Sequence, residues 1–181
     1  MYSFGIGHDL SFDEAVMDVF DAEVFAFDPT PSAALFVRNH DLSKRPRVHF
    51  SETGLAVKDG LEGLWMPTSY SLATGSPKDP DDSEPWVQVP VEMQTLQTIM
   101  QRLGHRHIDI LKMDIEGAEN RVIPDMLGRD IPVDQLCFEF HGRSRSDAIR
   151  NAKQLAGVLG KHGYALASVS GFSELTFVAA R

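Results

Sequence analysis

Two aspartates follow short apolar runs at positions where a β-strand would end. Asp28 comes directly after Val24–Phe27 and 21 residues after Gly7, and Asp114 comes directly after Ile108–Met113. In α/β folds that bind nucleotides, an acid about 20 residues after a glycine turn accepts hydrogen bonds from ribose hydroxyls. Asp28 alone is equally typical of a helix cap or a turn, but the two carboxylates together with a glycine turn predict a nucleotide-like ligand in one crevice at the strand ends.

A pair of glycines precedes the first predicted helix. Gly5 and Gly7 follow residues 1–4, which have the pattern of a short strand, and Ser11 is placed to begin the helix. Glycine lets the backbone approach a ligand, and the free N–H groups of a helix N-terminus attract anions or hydroxyls. Ser11 and Glu14 have the spacing of a capping box. By itself the glycine pair is equally typical of a plain strand-to-helix turn.

Candidates for proton transfer lie in and near the same predicted strand ends. Besides Asp114 they are Glu116, Glu139 and His141. His141 titrates near neutral pH and could act as a general base, or it could be a hydrogen-bonded residue at the rim. Asp114, Glu116 and His141 are also of types that hold divalent metals, but their separation has no helical ligand spacing, so no metal site is predicted.

Alternating apolar runs and amphipathic stretches must position these residues. Strands are predicted at 1–4, 24–27, 48–50, 86–91, 108–113, 135–140, 165–169 and 174–179, and helices at 11–20, 31–40, 96–103, 117–127 and 148–162. The last two strands are too close in sequence to be parallel and must form a hairpin. This order predicts one doubly wound α/β domain with a mostly parallel sheet and helices on both faces.

Several local patterns refine that prediction. Ala15, Val16, Val19 and Phe20 form a helical stripe that is predicted to face the core. Thr30 and Pro31 are typical of a helix start, Gly104 is typical of a helix end, and Pro124 is expected to break or restart its helix.

Two segments between predicted strands have their own character. The Asp-Gly pair at 59–60 favours a hairpin between the short runs of 51–66. Residues 75–85 are rich in proline and acidic residues and predict a loop, which is either a lid over a site or a plain connection.

Composition limits the classes of function. The 181 residues are 43% hydrophobic, which is ordinary for a globular domain, and the net charge of −9 argues against a nucleic-acid partner. Cys137 is the only cysteine, so no internal disulfide framework is possible. No apolar run approaches the roughly 20 residues that span a bilayer, and no leader segment is evident, so a soluble, cytoplasmic chain with no membrane partner is expected.

Four segments together resemble the FkbM-type S-adenosylmethionine-dependent methyltransferases: YSFGIGHDLSFD at 2–13, AFDPTP at 26–31, IDILKMDIEGAE at 108–119 and FEFH at 138–141. The resemblance covers nearly the whole chain in the same motif order, and KMDIEGAE is its most specific part. It implies a class I methyltransferase fold with a seven-stranded sheet ending in an antiparallel hairpin. It also implies methyl transfer from S-adenosylmethionine to a hydroxyl of a sugar, glycan or small metabolite.

The resemblance implies roles for named residues. Asp114, Glu116 and His141 are the catalytic candidates. The predicted cofactor-binding residues are Gly5, Ile6 and Gly7 at the methionine and ribose, Asp28, Pro29 and Thr30 at the ribose, Gly54 and Leu55 at the adenine, and Asp114 between methionine and acceptor. The chain begins inside the first strand, so the N-terminal helices that usually cover the cofactor or the acceptor in this family are expected to be absent.

Two other classes of function remain open from the sequence. One is a methyltransferase-like module that binds without catalysis, which the expected lack of N-terminal cover favours. The other is a nicotinamide-dependent oxidoreductase, which also uses a glycine turn and a downstream acid. Leu10 stands where the third glycine of that motif would be, and the terminal hairpin is not typical of that fold.

Overall fold

Strands and helices alternate along residues 1–68, 85–139, 145–171 and 173–180, which are the parts that the computed structural model describes, apart from the side chains of Ser43, Arg145, Asp147 and Ala148. The strands are β1 Tyr2–Phe4, β2 Val24–Phe27, β3 Val48–Ser51, β4 Gly54–Leu55, β5 Gly60–Pro67, β6 Trp86–Gln94, β7 Ile108–Met113, β8 Val133–Glu139, β9 Tyr164–Ser170 and β10 Glu174–Ala179. The α-helices are α1 Ser11–Phe20, α2 Pro31–Asn39, α3 Leu96–Leu103, α4 Glu119–Gly128 and α5 Arg145–Lys161. The predictions for residues 75–84, Phe140 and His141 lie outside the described residues.

Seven strands form one sheet in the order β3-β2-β1-β7-β8-β10-β9. The first five of these pair in parallel, whereas β10 is antiparallel to both β8 and β9. The predicted fold class, a doubly wound and mostly parallel sheet with a terminal hairpin, is therefore confirmed. The strand order reverses between β1 and β7, and this switch point is where open α/β sheets bind ligands.

Helices pack against the central strands of the sheet, whose buried residues are mainly apolar. Phe4, Leu111 and Met113 belong to the larger core, which also contains apolar residues of α3, α4 and α5. Val24 and Ala26 belong to a second core with residues of α1 and α2. The central strands are thus fixed from both sides, and the loops at their carboxyl ends are left to build a site. No helix of the described residues is both long and apolar enough to span a membrane.

The predicted hairpin around the Asp-Gly pair is wrong. β4 and β5 do not pair with each other but flank β6, in the order β4-β6-β5. β5 pairs antiparallel with β6 over eight residues, while β4 pairs in parallel with Met93 and Gln94 alone. The Asp59 carboxylate instead accepts hydrogen bonds from the Thr95 N–H (2.7 Å) and the Thr98 hydroxyl (2.8 Å) at the start of α3.

The helix ends agree with the sequence only in part. Thr30 caps α2, and Gly104 ends α3 at a φ of 74°. The predicted capping box of α1 is wrong, because Ser11 is already helical and its N–H donates to the Asp9 carboxylate (2.8 Å). Pro124 lies inside α4 without breaking it.

The predicted apolar stripe of α1 is wrong at three of its four positions, because Ala15, Val19 and Phe20 are all exposed. Val19 and Phe20 are 72% and 70% exposed, whereas the buried face contains Asp13, Val16 and Met17. The helix is therefore rotated relative to the predicted stripe, and a carboxylate faces the sheet.

Candidate functional site

The glycine turn after β1 lies between the two predicted aspartates. The Gly5 N–H donates to the Phe27 carbonyl (3.0 Å), and the Gly7 N–H donates to Asp28 Oδ2 (2.9 Å). On the other side, the Asp114 N–H donates to the Phe4 carbonyl (3.0 Å). The structure thus brings together the three strand ends that the sequence singled out.

Gly5 is required by close approach of two backbones. Its φ is 72°, and a Cβ atom there would lie 1.7 Å from the Asp114 carbonyl oxygen. Any side chain at this position would push β1 and β7 apart at the switch point. Gly7 also has a left-handed conformation, with a φ of 51°, but its Cβ position is open.

Asp28 is 4% exposed and ties the turn to α2. Besides the Gly7 N–H, it accepts hydrogen bonds at Oδ1 from the Thr30 N–H (2.9 Å) and hydroxyl (2.6 Å). A carboxylate offers about four acceptor positions. Three are used inside the protein, so acceptor capacity remains for about one hydroxyl of a ligand.

The predicted adenine neighbours follow β3. Gly54 is buried, and a Cβ atom there would lie 2.3 Å from Met93 Sδ and 3.0 Å from Pro29 Cγ. Leu55 is 2% exposed and packs in the larger core. Gly54 and Pro29 therefore lie together behind Asp28, whereas the Leu55 side chain contributes to packing.

The loop from Asp114 to Glu119 turns sharply. Glu116 and Gly117 both have left-handed backbones, with φ values of 55° and 95°. The buried Glu119 begins α4, and its Oε1 accepts the Ile115 N–H (2.9 Å), which holds the loop closed. As a result Asp114 is half-buried and faces the cleft, whereas the Glu116 side chain is exposed.

A cleft of about 370 Å³ opens beside Gly5 and Asp114, between the start of α1 and the β7–β9 part of the sheet. Two cross-strand rows of polar side chains contribute to its floor. β-Strand register places one row as Lys112, Cys137, Thr176 and Ser168, and the other as Glu139, Glu174 and Ser170. Sequence reasoning did not identify these rows, because they follow from pairing between distant strands.

The cleft is predominantly acidic among its described lining residues. Asp9, Asp114, Glu139 and Glu174 contribute carboxylates, and Lys112 contributes an ammonium group. The backbone N–H and hydroxyl of Ser11, helped by the Lys112 charge, lower the pKa of Asp9 below its usual value. Asp9 is thus ionised at neutral pH, and the cleft favours neutral or cationic ligand groups over anionic ones.

Cys137 lies in the cleft and is half-buried rather than fully buried. Its sulfur accepts hydrogen bonds from Gln135 Nε2 (3.2 Å) and from the Thr176 hydroxyl (3.8 Å). These contacts fix the thiol within the first polar row.

Comparison with known proteins identifies one family. Residues 13–166 match the family model described as the methyltransferase FkbM domain. The chain is 27% identical over 143 residues to a human protein named probable methyltransferase-like protein 24, which covers 78% of this chain and 32% of the relative. The rat protein of that name is 26% identical with the same coverage. The chain thus spans about a third of the length of these curated relatives. No solved structure gives a significant match.

Proposed function

The chain belongs to the methyltransferase FkbM domain family, and from this premise we propose that it transfers a methyl group from S-adenosylmethionine to a hydroxyl of a sugar, glycan or small polar metabolite. The resemblance inferred from the sequence motifs is confirmed at the level of the family. The observation that carries the proposal is the glycine turn between Asp28 and Asp114, which opens directly onto the polar cleft.

The residues around the turn fit the proposed methyl donor. Asp28 retains acceptor capacity for about one ribose hydroxyl, and the open space beside Gly7 allows close approach of the ligand to the backbone. When bound, S-adenosylmethionine supplies a methyl group on a positively charged sulfur. Its amino group is also cationic, so Asp114 at the edge of the cleft would favour both charges.

The floor of the cleft supports a hydroxylated acceptor. Ser168, Ser170 and Thr176 offer hydroxyls that donate and accept hydrogen bonds, and Glu139 and Glu174 offer acceptors alone. Such mixed polar groups suit a ligand with several hydroxyls. The excess of carboxylates disfavours an acceptor that carries phosphate, because like charges would meet in the cleft.

Methyl transfer to an alcohol requires that the hydroxyl proton be removed while the oxygen attacks in line. Most of the rate gain comes from positioning, and the remainder comes from a general base. Asp114 is the described carboxylate at the junction of turn and cleft, so it is placed to hold that proton. Glu116 is exposed on the loop beyond it. His141 remains a prediction as the alternative base.

Family membership favours this reading over the nicotinamide-dependent oxidoreductase considered from the sequence. The alternative of a methyltransferase-like module that binds without catalysis differs in activity rather than in fold. Binding and turnover must therefore be measured separately.

The test compares Asp114→Asn with His141→Ala. Calorimetric titration with S-adenosylmethionine measures donor affinity, and single-turnover transfer of labelled methyl groups to free hexoses and pentoses measures chemistry. Asp114→Asn should weaken donor binding by about tenfold or more, because it removes a charge beside a cationic ligand. If His141 rather than Asp114 is the general base, His141→Ala should leave affinity nearly intact while turnover falls by roughly 100-fold, because a general base acts on the acceptor.

The control is Asp130→Asn, which makes the same chemical change at an exposed residue between α4 and β8. It should change neither quantity. Binding without turnover in the unaltered protein would favour the non-catalytic module, and no binding of S-adenosylmethionine would refute the proposal. Unchanged turnover in His141→Ala would remove His141 from the catalytic candidates.

A further inference from the structure

Three side chains of types that bind metal ions lie close together at the amino ends of β7 and β8. The cleft lies at the opposite, carboxyl ends of these strands. His107 directly precedes β7, Asp109 is the second residue of β7, and Asp134 is the second residue of β8. One potential ligand atom from each residue lies within 4.8 Å of the other two. We propose that His107, Asp109 and Asp134 form a binding site for a divalent transition-metal ion.

Strand register creates this group. The pairs Ile108–Val133 and Ile110–Gln135 place Asp109 beside Asp134 on neighbouring parallel strands. Side chains alternate along a strand, so His107, two residues before Asp109, lies on the same side. Two carboxylates at adjacent positions repel each other. A cation held between them would remove that repulsion.

One ligand atom of each residue lies within 4.8 Å of the other two, and the pair formed by His107 and Asp134 has the spacing of a coordination sphere. His107 Nε2 lies 3.1 Å from Asp134 Oδ1, and His107 Nδ1 lies 3.9 Å from Asp109 Oδ1. Around an ion with ligands at about 2.0–2.2 Å, neighbouring ligand atoms lie roughly 3–3.5 Å apart. The first pair already has this spacing. Asp109 lies nearer to the other ring nitrogen of His107, so its side chain, which is 81% exposed, must rotate towards Nε2 to bind the same ion.

A single ion pair uses one carboxylate, whereas His107 lies between two, one near each ring nitrogen. His49 shows such a pair on the same protein, with its Nε2 atom 2.8 Å from Glu23 Oε1. The side chains of His49 and His107 are exposed to almost the same extent, 45% and 43%. The difference is the second carboxylate, which the His107 group has in addition.

The strands that carry the three residues are held in place. The Ile108 N–H donates to the Pro132 carbonyl (3.1 Å), and the Tyr164 hydroxyl donates to the Val133 carbonyl (2.7 Å). Ligands on a rigid sheet lose little freedom when an ion binds. The side chains move, whereas the backbone positions are preorganised.

The donor set indicates the class of ion. One imidazole nitrogen with two carboxylate oxygens suits Zn²⁺, Co²⁺, Ni²⁺ or Mn²⁺, whereas Ca²⁺ and Mg²⁺ prefer oxygen alone. All three side chains are partly exposed, so water would complete the coordination. Asp109 lies near the start of β7 and Asp114 directly follows its end, so the two are about 16 Å apart. The ion would therefore bind outside the cleft, and its test is independent of the proposed methyl transfer.

The experiment titrates chelator-treated protein with Co²⁺, followed by visible absorption, and with Zn²⁺, followed by calorimetry. One ion per chain is expected at this site. His107→Ala, Asp109→Asn and Asp134→Asn should each lower the affinity by about tenfold or more, since even outer-shell changes cost 10–100-fold. His49→Ala is the matched control and should leave affinity unchanged.

All the substituted side chains are partly exposed, and circular dichroism of each variant would verify that it is folded. Unchanged affinity in His107→Ala or Asp134→Asn would overturn the proposal. So would a Co²⁺ spectrum with thiolate charge-transfer bands, which would place the ion at Cys137 in the cleft. Absence of binding at millimolar Co²⁺ and Zn²⁺ would overturn it as well.

Discussion

Asp13 is a fully buried carboxylate on α1, and within the described part of the chain neither of its oxygens has a hydrogen-bond partner of good geometry. Burial raises its pKa above the usual value, and the Lys112 charge and the Ser3 hydroxyl oppose that rise without cancelling it. The folded protein therefore favours the protonated form of Asp13. An ionised Asp13 destabilises the fold.

Asp13→Asn should make the protein more stable at pH 7, by about 1 kcal/mol or more, because it removes the cost of a buried, unsatisfied charge. The sign follows from linkage: a folded-state pKa above the unfolded value means that stability falls as pH rises from about 4 through the folded pKa. The introduced asparagine does not titrate, so the variant does not lose stability in this way. The difference in free energy of unfolding between Asp13→Asn and the unaltered protein should therefore shrink as pH approaches 4. Urea unfolding at several pH values measures the difference.

The matched control is Asp18→Asn on the same helix, where Asp18 is exposed and pairs with Arg45. Its effect should stay within about 0.5 kcal/mol at every pH. A lower stability of Asp13→Asn at pH 7 would show instead that an ionised Asp13 is needed, with Lys112 as its counter-charge.

The segment between β4 and β5 is tied to α3 by one exposed side chain. Asp59 accepts the Thr95 N–H and the Thr98 hydroxyl, and these bonds lower its pKa, the Thr95 N–H having the largest effect. A carboxylate there also complements the helix dipole. The sequence pair at 59–60 predicted a turn, but the Asp59 side chain instead stabilises the start of a helix 36 residues later.

Asp59→Ala should lower the free energy of unfolding by about 1 kcal/mol at pH 7, the usual net contribution of a hydrogen bond. Because the folded pKa is lowered, this contribution is present above about pH 4 and is lost as pH falls through the folded pKa. Denaturant titrations at pH 7 and at successively lower pH measure how this contribution is lost. Lys58→Ala changes an exposed neighbour and should have little effect. Equal stability of Asp59→Ala and the unaltered protein would show that the two bonds contribute nothing.

The elements that the sequence predicted well depend on local chemistry. Thr30 and Gly104 act as caps because their own backbone and side chain determine the helix end. The glycine turn, Asp28 and Asp114 were also predictable, because parallel strands bring their carboxyl ends to one edge. β4 and β5 were mispaired because their partner, β6, lies beyond a long intervening segment.

The parts of the site that the sequence missed depend on register. Lys112 meets Cys137, and Asp109 meets Asp134, only because β7 and β8 pair at one particular offset. A shift by one residue would move every such side chain to the other face. Nothing in the local pattern of either strand specifies that offset, so both the polar floor and the proposed metal site required the structure.

The described residues form two sheets, and the connection between them determines whether the protein unfolds as one unit. The three-stranded sheet has a small apolar cluster of its own, formed by Met66, Val91 and Met93. β4 joins the two sheets, since it pairs with β6 while Leu55 packs in the larger core. We propose that this link makes residues 1–181 a single cooperative domain.

Leu55→Ala tests that coupling. Deleting a buried leucine side chain costs roughly 2–5 kcal/mol, so the whole protein should be destabilised by that amount if both sheets unfold together. Both tryptophans of the chain, Trp65 and Trp86, lie in β5 and β6, so their fluorescence reports the three-stranded sheet, whereas far-UV circular dichroism reports all elements. The two signals should give coincident urea transitions in both proteins, shifted equally by the substitution. Val169→Ala, at an exposed position of β9, should shift neither signal appreciably. A fluorescence transition at lower urea than the dichroism transition would show that the three-stranded sheet is a separate unit.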